Sequence, residues 1–241
     1  MRTRTTVGMR PNVQVTFTLG PQHMSLSLAQ IDQGIDALLQ NAKALIAESR
    51  LLYEAKAMAR AYTLSHLGRE ELSRVVMLEA AALRILAERP VEWKKLMKRL
   101  RDHKAKLALE NAESAMFLLG VGAHPVAEAA LQVAGQTASL RNDWKNASIY
   151  VNFEDGKFVL PTAQISDRKA ERTVLLAELR LNAFMQRRAM FPTFAKRQIG
   201  SMRDMPDIEA LIKSDPEVMV IAAGKLVALI QAKMNTSEVG P

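Results

Sequence analysis

The sequence predicts an all-α protein: an antiparallel helical bundle with a small β-hairpin insertion and an extra C-terminal helix. Three observations predict it. Apolar residues recur at three- and four-residue spacing over long stretches, and no Gly or Pro interrupts residues 36–67. Hydrophobic residues make up 49% of the 241 but aromatics only 5%, a balance typical of Ala-, Leu- and Met-rich packed helices rather than of sandwiches. The strongest hairpin signal is Asp155-Gly156 between two β-prone runs.

The elements follow in order. Residues 1–24 alternate Val13, Val15, Phe17 and Leu19 with polar residues, which fits an extended or flexible arm. Ser25 can cap a helix carrying Leu28, Ile31, Ile35, Leu38, Leu39, Ala42, Leu45 and Ile46, with its break expected near Tyr53. A second helix runs from about Glu54 to Ala87 and stops before Arg89-Pro90. A third is expected over about Val91–Leu119, ending at Gly120-Val121-Gly122. Pro125 opens a short, Ala-rich fourth that reaches about Gly135 or slightly beyond. The hairpin occupies residues 148–160 and Pro161 closes it. Helices are then expected over about Asp167–Met190 and about Pro206–Ala232. The domain division is an arm at 1–24, a helical domain at 25–200 and a helical extension at 201–241.

The composition excludes several chemistries. With no cysteine, there are no disulfides, Cys-ligated zinc, iron–sulfur clusters or thiol catalysis, and no metal site or other cofactor is expected. No Walker loop, His-Glu-x-x-His or Gly-x-Ser-x-Gly occurs, and Gly120-Val121-Gly122-Ala123 lacks both the strand and the third glycine of a dinucleotide fingerprint. The apolar runs 115–123 and 218–230 fall short of the roughly 20 residues of a membrane span, so a cytoplasmic protein without a membrane partner is expected. Its 33 Lys and Arg against 25 Asp and Glu give +8 and a pI of about 9.8, which points to an anionic partner. The excess gathers in 89–106, opposed only by Glu92 and Asp102, and in 168–203.

Ionisable residues also interrupt the apolar stripes. At about 100° per residue, Ala57, Leu64, Val75, Leu78 and Ala82 share one arc of the second helix, with Glu71 at its centre, Arg60 inside it and Arg74 at its edge. On the third helix, His103 lies within the Leu96, Leu100, Leu107 and Leu118 face, with Glu110 on the same side. A carboxylate on such a stripe is costly unless paired. Glu71 and His103 are expected to meet across the helix interface, where the carboxylate would fix the imidazole tautomer for acid–base chemistry on a phosphodiester. A structural ion pair is the competing explanation.

The segments Leu38-Leu39-Gln40-Asn41-Ala42, Ala59-Arg60-Ala61-Tyr62-Thr63-Leu64 and Glu70-Glu71-Leu72-Ser73-Arg74 together resemble the AbiV-type abortive-infection proteins, phage-defence members of the HEPN superfamily. Trp93 followed by Asp102-His103-Lys104-Ala105-Lys106 resembles that family's next-helix element. Leu140-Arg141 with Ile149-Tyr150-Val151 and Pro161 resembles its later one. The resemblance spans about Leu38–Pro161, with Arg74 standing where the family has a lysine.

The resemblance implies a HEPN-like helical core that forms a homodimer around a cleft, and metal-independent ribonuclease chemistry based on an Arg, a short spacer and a His. Arg141-Asn142 begins such a motif, but Ala147 and Ser148 stand where the His would be. Arg60 and His66 have the spacing yet fall on different faces of one helix, outside the motif's usual region, and are read as a chance match.

The expected catalytic set is therefore His103 as general acid/base, Glu71 as its orienter and Arg141 as phosphate stabiliser, with Arg74, Lys104 and Lys106 as RNA or phosphate contacts. The leading function is a phage-defence protein acting on RNA. The alternative is a non-enzymatic helical interaction protein that binds a phage or host protein.

Overall fold

The computed structural model describes residues 25–107, 109–111, 134–191, 193–204 and 207. The expected N-terminal arm, the helix opened by Pro125 and nearly all of the C-terminal extension lie outside these residues.

Helix α1, Leu28–Glu54, is capped by Ser27 rather than Ser25. The Ser27 hydroxyl accepts from Gln30 N at 3.2 Å while Ser27 N donates to Gln30 Oε1 at 2.9 Å, so two N–H groups at the helix start are satisfied reciprocally. Its buried Ile31, Ile35, Leu39, Ala42 and Ile46 form one stripe. The chain reverses through residues 55–57, with Lys56 at φ 60°, and helix α2 runs Met58–Leu86 antiparallel to α1. The two approach closely at Gly68, where a Cβ would lie 2.6 Å from Ile46 Cγ1. That contact explains a glycine in a helix interior despite its conformational cost.

Helix α2 is the central element. It packs on α1, on α4 (Ala134–Ile149) and on α6 (Asp167–Met190), so it is buried on more than one side. One side carries Leu72, Val75, Leu78 and Ala82 into the main core with the α1 stripe, with Ala177, Leu181 and Phe184 of α6, and with Leu96 of α3 (Trp93–Arg101). Arg60, expected on the inward arc, is exposed.

The expected single helix over 91–119 is instead broken at Asp102. This residue is extended at φ −84° and ψ 115°, and its carboxylate accepts from Lys104 N at 2.9 Å and Ala105 N at 3.3 Å. An aspartate that captures the next N–H groups starts a new helix. Residues 103–107 and 109–111 are helical on that new start.

The hairpin forms within the expected segment, although residues 148 and 149 belong to α4 and not to the hairpin. Strand β1, Asn152–Glu154, pairs antiparallel with β2, Lys157–Val159, in the register Asn152–Val159, Phe153–Phe158 and Glu154–Lys157. Asp155 and Gly156 both take positive φ, 48° and 77°, as a two-residue turn requires. Pro161 opens a one-turn helix α5, Pro161–Gln164, and α6 has the predicted bounds. Buried Asp32 then accepts from Phe194 N, Ala195 N and Arg188, which fixes the 3-10 turn Phe194–Lys196 against α1. Helix α4 occupies residues 134–149, where the sequence leads one to expect helix only to about Gly135 or slightly beyond.

Candidate functional site

Helix α2, the 103–111 stretch and α4 each place ionisable residues one helical turn apart on a common inward face: His66 and Glu70, Lys106 and Glu110, Arg141 and Lys145. Stacked together they form two adjoining layers, each built around one buried carboxylate. Arg69 and Glu70, neighbours about 100° apart on α2, point one into each layer.

The first layer centres on Glu70, which is 2% exposed. Its Oε2 is hydrogen-bonded to His103 Nδ1 at 2.6 Å and forms an ion pair with Lys106 Nζ, 2.7 Å away. Its Oε1 lies 3.4 Å from His66 Nε2 and 3.8 Å from Lys145 Nζ. Burial alone would raise the Glu70 carboxyl, but the contacts from His66 and Lys106 outweigh it and hold the group at about 2. His66 is fully buried and stacks on Tyr62 with ring centroids 6.0 Å apart. Desolvation pulls its pKa below the usual value, so the ring is neutral at pH 7, and neither ring nitrogen makes an aligned hydrogen bond. His103 differs from its neighbours: its side chain is 49% exposed, and the bond from Nδ1 to Glu70 leaves Nε2 toward solvent.

The second layer centres on Glu110. Arg69 Nε donates to its Oε1 at 2.7 Å, an Arg141 guanidinium nitrogen to its Oε2 at 2.7 Å, and an Arg180 nitrogen lies 3.1 Å from Oε1. Burial opposes ionisation of Glu110, and the three guanidinium groups overcome it, holding the carboxyl far below the ordinary range. Arg141 also donates to Asn111 Oδ1 at 3.2 Å. A hydroxyl contact of 2.7 Å between Thr63 and Ser148 ties α4 to α2 beside the layers.

Of the sequence-predicted residues, the fold brings His103, Lys106 and Arg141 into this cluster. The expected contact between Glu71 and His103 is not made: the histidine's partner is Glu70. Glu71 instead accepts from Arg74 at 2.8 Å near the surface, and Arg74 Nε donates to the Leu100 carbonyl at 3.0 Å, so both stand outside the layers. The correction has a geometric cause. The helix restarts at Asp102, so His103 and Lys106 project from a new axis, and α2 faces them with the side that carries His66 and Glu70. Lys104 is exposed on the first turn of the restarted helix. Arg60 and His66 do not meet.

Sequence reasoning passed over Arg69, Lys145 and Arg180, set His66 aside as a chance match with Arg60, and quoted Glu70 only within the family resemblance, giving the site role to Glu71. The available signal was the recurrence of ionisable pairs at helical-turn spacing on three segments. Among the described residues, no group of three or more His, Asp and Glu side chains is arranged to hold a metal ion, and no helix is long and apolar enough to cross a membrane.

A sequence model of the AbiV family of HEPN proteins matches residues 30–182, a span that runs from α1 into α6 and includes every member of both layers. No curated protein and no solved structure matches the chain.

Proposed function

The chain belongs to the AbiV family of HEPN proteins, and from that premise we propose that it is an abortive-infection phage-defence protein that acts on RNA in the cytoplasm, as a homodimer and as a metal-independent ribonuclease. One observation carries the catalytic part: a half-exposed imidazole, His103, is held through Nδ1 by a fully buried carboxylate, Glu70, at 2.6 Å. A carboxylate so placed fixes the tautomer and stabilises the imidazolium that forms when the ring takes a proton.

In this reading His103 Nε2 removes the proton of a ribose 2′-hydroxyl. The 2′-oxygen attacks the adjacent phosphorus and the 5′-oxygen leaves, taking a proton from solvent water, to give a 2′,3′-cyclic phosphate, and His103 then returns its proton to solvent. Glu70 orients the base. Around Glu70 two ammonium groups, Lys106 and Lys145, share one carboxylate, so the layer keeps a positive field suited to a phosphodiester. Arg141, one turn before Lys145 on α4, adds to that field.

The test is RNA cleavage and phage restriction by His103→Ala and Glu70→Gln, with folding followed by circular dichroism. Both variants are expected to lose cleavage, and His103→Ala to keep its fold, since that side chain is half in solvent. Wild-type cleavage and restriction by His103→Ala would overturn the reading. Absence of cleavage by the wild type, with stoichiometric capture of one phage or host protein, would transfer the chain to the non-enzymatic interaction class.

A further inference from the structure

Helix α3 carries a line of cations that the bundle does not use. At about 100° per residue, Lys94, Lys98 and Arg101 share an arc of about 60° on the side opposite Leu96, which α3 buries in the core. All three are exposed. At about 1.5 Å per residue the line is about 10 Å long, and it ends two residues before His103. Lys104, also exposed, stands just beyond the break at Asp102.

The charge of this line is not neutralised. Glu92 pairs with Lys95 at 3.2 Å, and the Asp102 carboxylate accepts from Lys104 N and Ala105 N. Among the described residues no carboxylate lies within ion-pair distance of Lys94, Lys98, Arg101 or Lys104. The other basic segment, 168–203, is largely committed to the fold. There Arg180 pairs with Glu110, Arg187 with Glu79, Arg188 with Asp32 and Asp36, and Arg203 with Glu88.

We propose that Lys94, Lys98 and Arg101, with Lys104, bind the phosphate backbone of a single-stranded RNA and lead it to His103. The surface rests on the ribonuclease reading above and supplies the phosphate contacts that the expected set does not. Arg74 is engaged with Glu71 and the Leu100 carbonyl, and Lys106 is buried against Glu70. A line about 10 Å long spans about three phosphates of one strand. It is one cation wide, so it follows a single backbone, and no aromatic side chain shares its arc, so it holds phosphates without reading bases. The chemistry agrees: a 2′-oxygen must swing in line with the leaving 5′-oxygen, which a free strand permits and a stacked A-form duplex resists.

The test is fluorescence anisotropy of a labelled, mixed-sequence single-stranded RNA of about 12 nucleotides, titrated with the full chain carrying His103→Ala so that nothing is cleaved. This parent is compared with Lys94→Gln/Lys98→Gln/Arg101→Gln/Lys104→Gln in the same background. A reference variant, Lys43→Gln/Arg60→Gln/Arg168→Gln/Arg172→Gln, removes four exposed cations elsewhere, so both lower the net +8 equally. At about 0.7 per phosphate contact, the α3 variant should flatten the slope of log affinity against log salt by about 3. Between about 50 and 200 mM salt the parent should therefore lose about fiftyfold more affinity than the α3 variant. The reference variant should track the parent, and helical content should be the same in all three because every substituted side chain is exposed. A parent that binds no RNA overturns both the RNA reading and this surface. A parent that binds, with affinity and slope unchanged in the α3 variant, overturns the surface alone and leaves RNA as the substrate. Equal losses in the α3 and reference variants would make the binding a matter of overall charge and overturn the location. Duplex RNA of the same length bound as tightly as the single strand would overturn the single-strand assignment.

Discussion

The pair formed by Glu70 and Lys106 allows a quantitative prediction. Both side chains are essentially out of solvent, at 2% and 1% exposure, and their charged atoms are 2.7 Å apart. Glu70→Gln keeps the shape and removes the charge. Lys106 then loses the carboxylate beside it, and Lys145 loses its 3.8 Å neighbour. Breaking a buried pair by removing one partner costs about 3–5 kcal/mol. A second route gives the same scale. The carboxyl is held at about 2 against an ordinary 4.5, and at about 1.4 kcal/mol per unit that difference is worth about 3 kcal/mol. For a domain of this size the expected fall in Tm is about 10 °C.

The assay is urea unfolding at pH 7, read at constant m-value. Glu70→Gln/Lys106→Met should recover at least half of the loss, because the buried charge that remained after the first substitution is then gone. The stabilisation also has a direction in pH. A carboxyl whose folded pKa is depressed stabilises the fold fully above its unfolded value, and the contribution is lost as pH falls from about 4.5 through about 2. A Glu70→Gln loss below about 1 kcal/mol, within the range of exposed pairs, would refute the burial reasoning. So would a double variant whose losses simply add.

Two further predictions follow from the same two layers. Glu110→Gln leaves Arg69, Arg141 and Arg180 around a neutral amide and should cost about 3–5 kcal/mol. Glu71→Gln, which disturbs only the near-surface pair with Arg74, should cost under about 1 kcal/mol; equal unfolding midpoints for the two variants would contradict the assignment. His66 is neutral in the fold because burial lowers its pKa. As pH falls below about 6.5 the unfolded chain therefore takes up a proton that the folded ring refuses, and stability declines by up to about 1.4 kcal/mol per pH unit. His66→Gln should flatten that decline, which unfolding midpoints at several pH values above and below 6 will reveal.

The bundle was readable from sequence wherever a helix buries one apolar stripe. The α1 positions, the Asp155-Gly156 turn and the bounds of α6 follow from periodicity and turn chemistry, and the structure has all three. The pattern reading fails at α2 because that helix has neighbours on several sides. Projecting its most apolar arc put Glu71 at the centre, whereas the polar inward side, with His66, Glu70 and Ser73, is equally buried. One residue along a helix is a rotation of about 100°, enough to exchange the partner of His103 from one glutamate to its neighbour.

Helix α4 shows why the rest was hidden. Among its described side chains Lys145, Ala147 and Ser148 are buried and Arg141 reaches Glu110, while Leu140, Trp144 and Ile149 are exposed. A search for apolar stripes facing a core is blind to a helix whose buried side is cationic, and Gly135, Asn142 and Asn146 further lower its intrinsic helix propensity. The inversion has one cause on each side. Glu70 and Glu110 need cations, so α4 turns Lys145 and Arg141 inward; the apolar residues left outward lead directly into the exposed face of the hairpin. A segment that breaks the ordinary burial pattern on both sides at once is where function is expected to reside. Here the inner side holds the two buried carboxylates, one of which positions His103, so substitutions at Arg141 and Lys145 should act on cleavage through Glu110 and Glu70 rather than by direct contact with RNA.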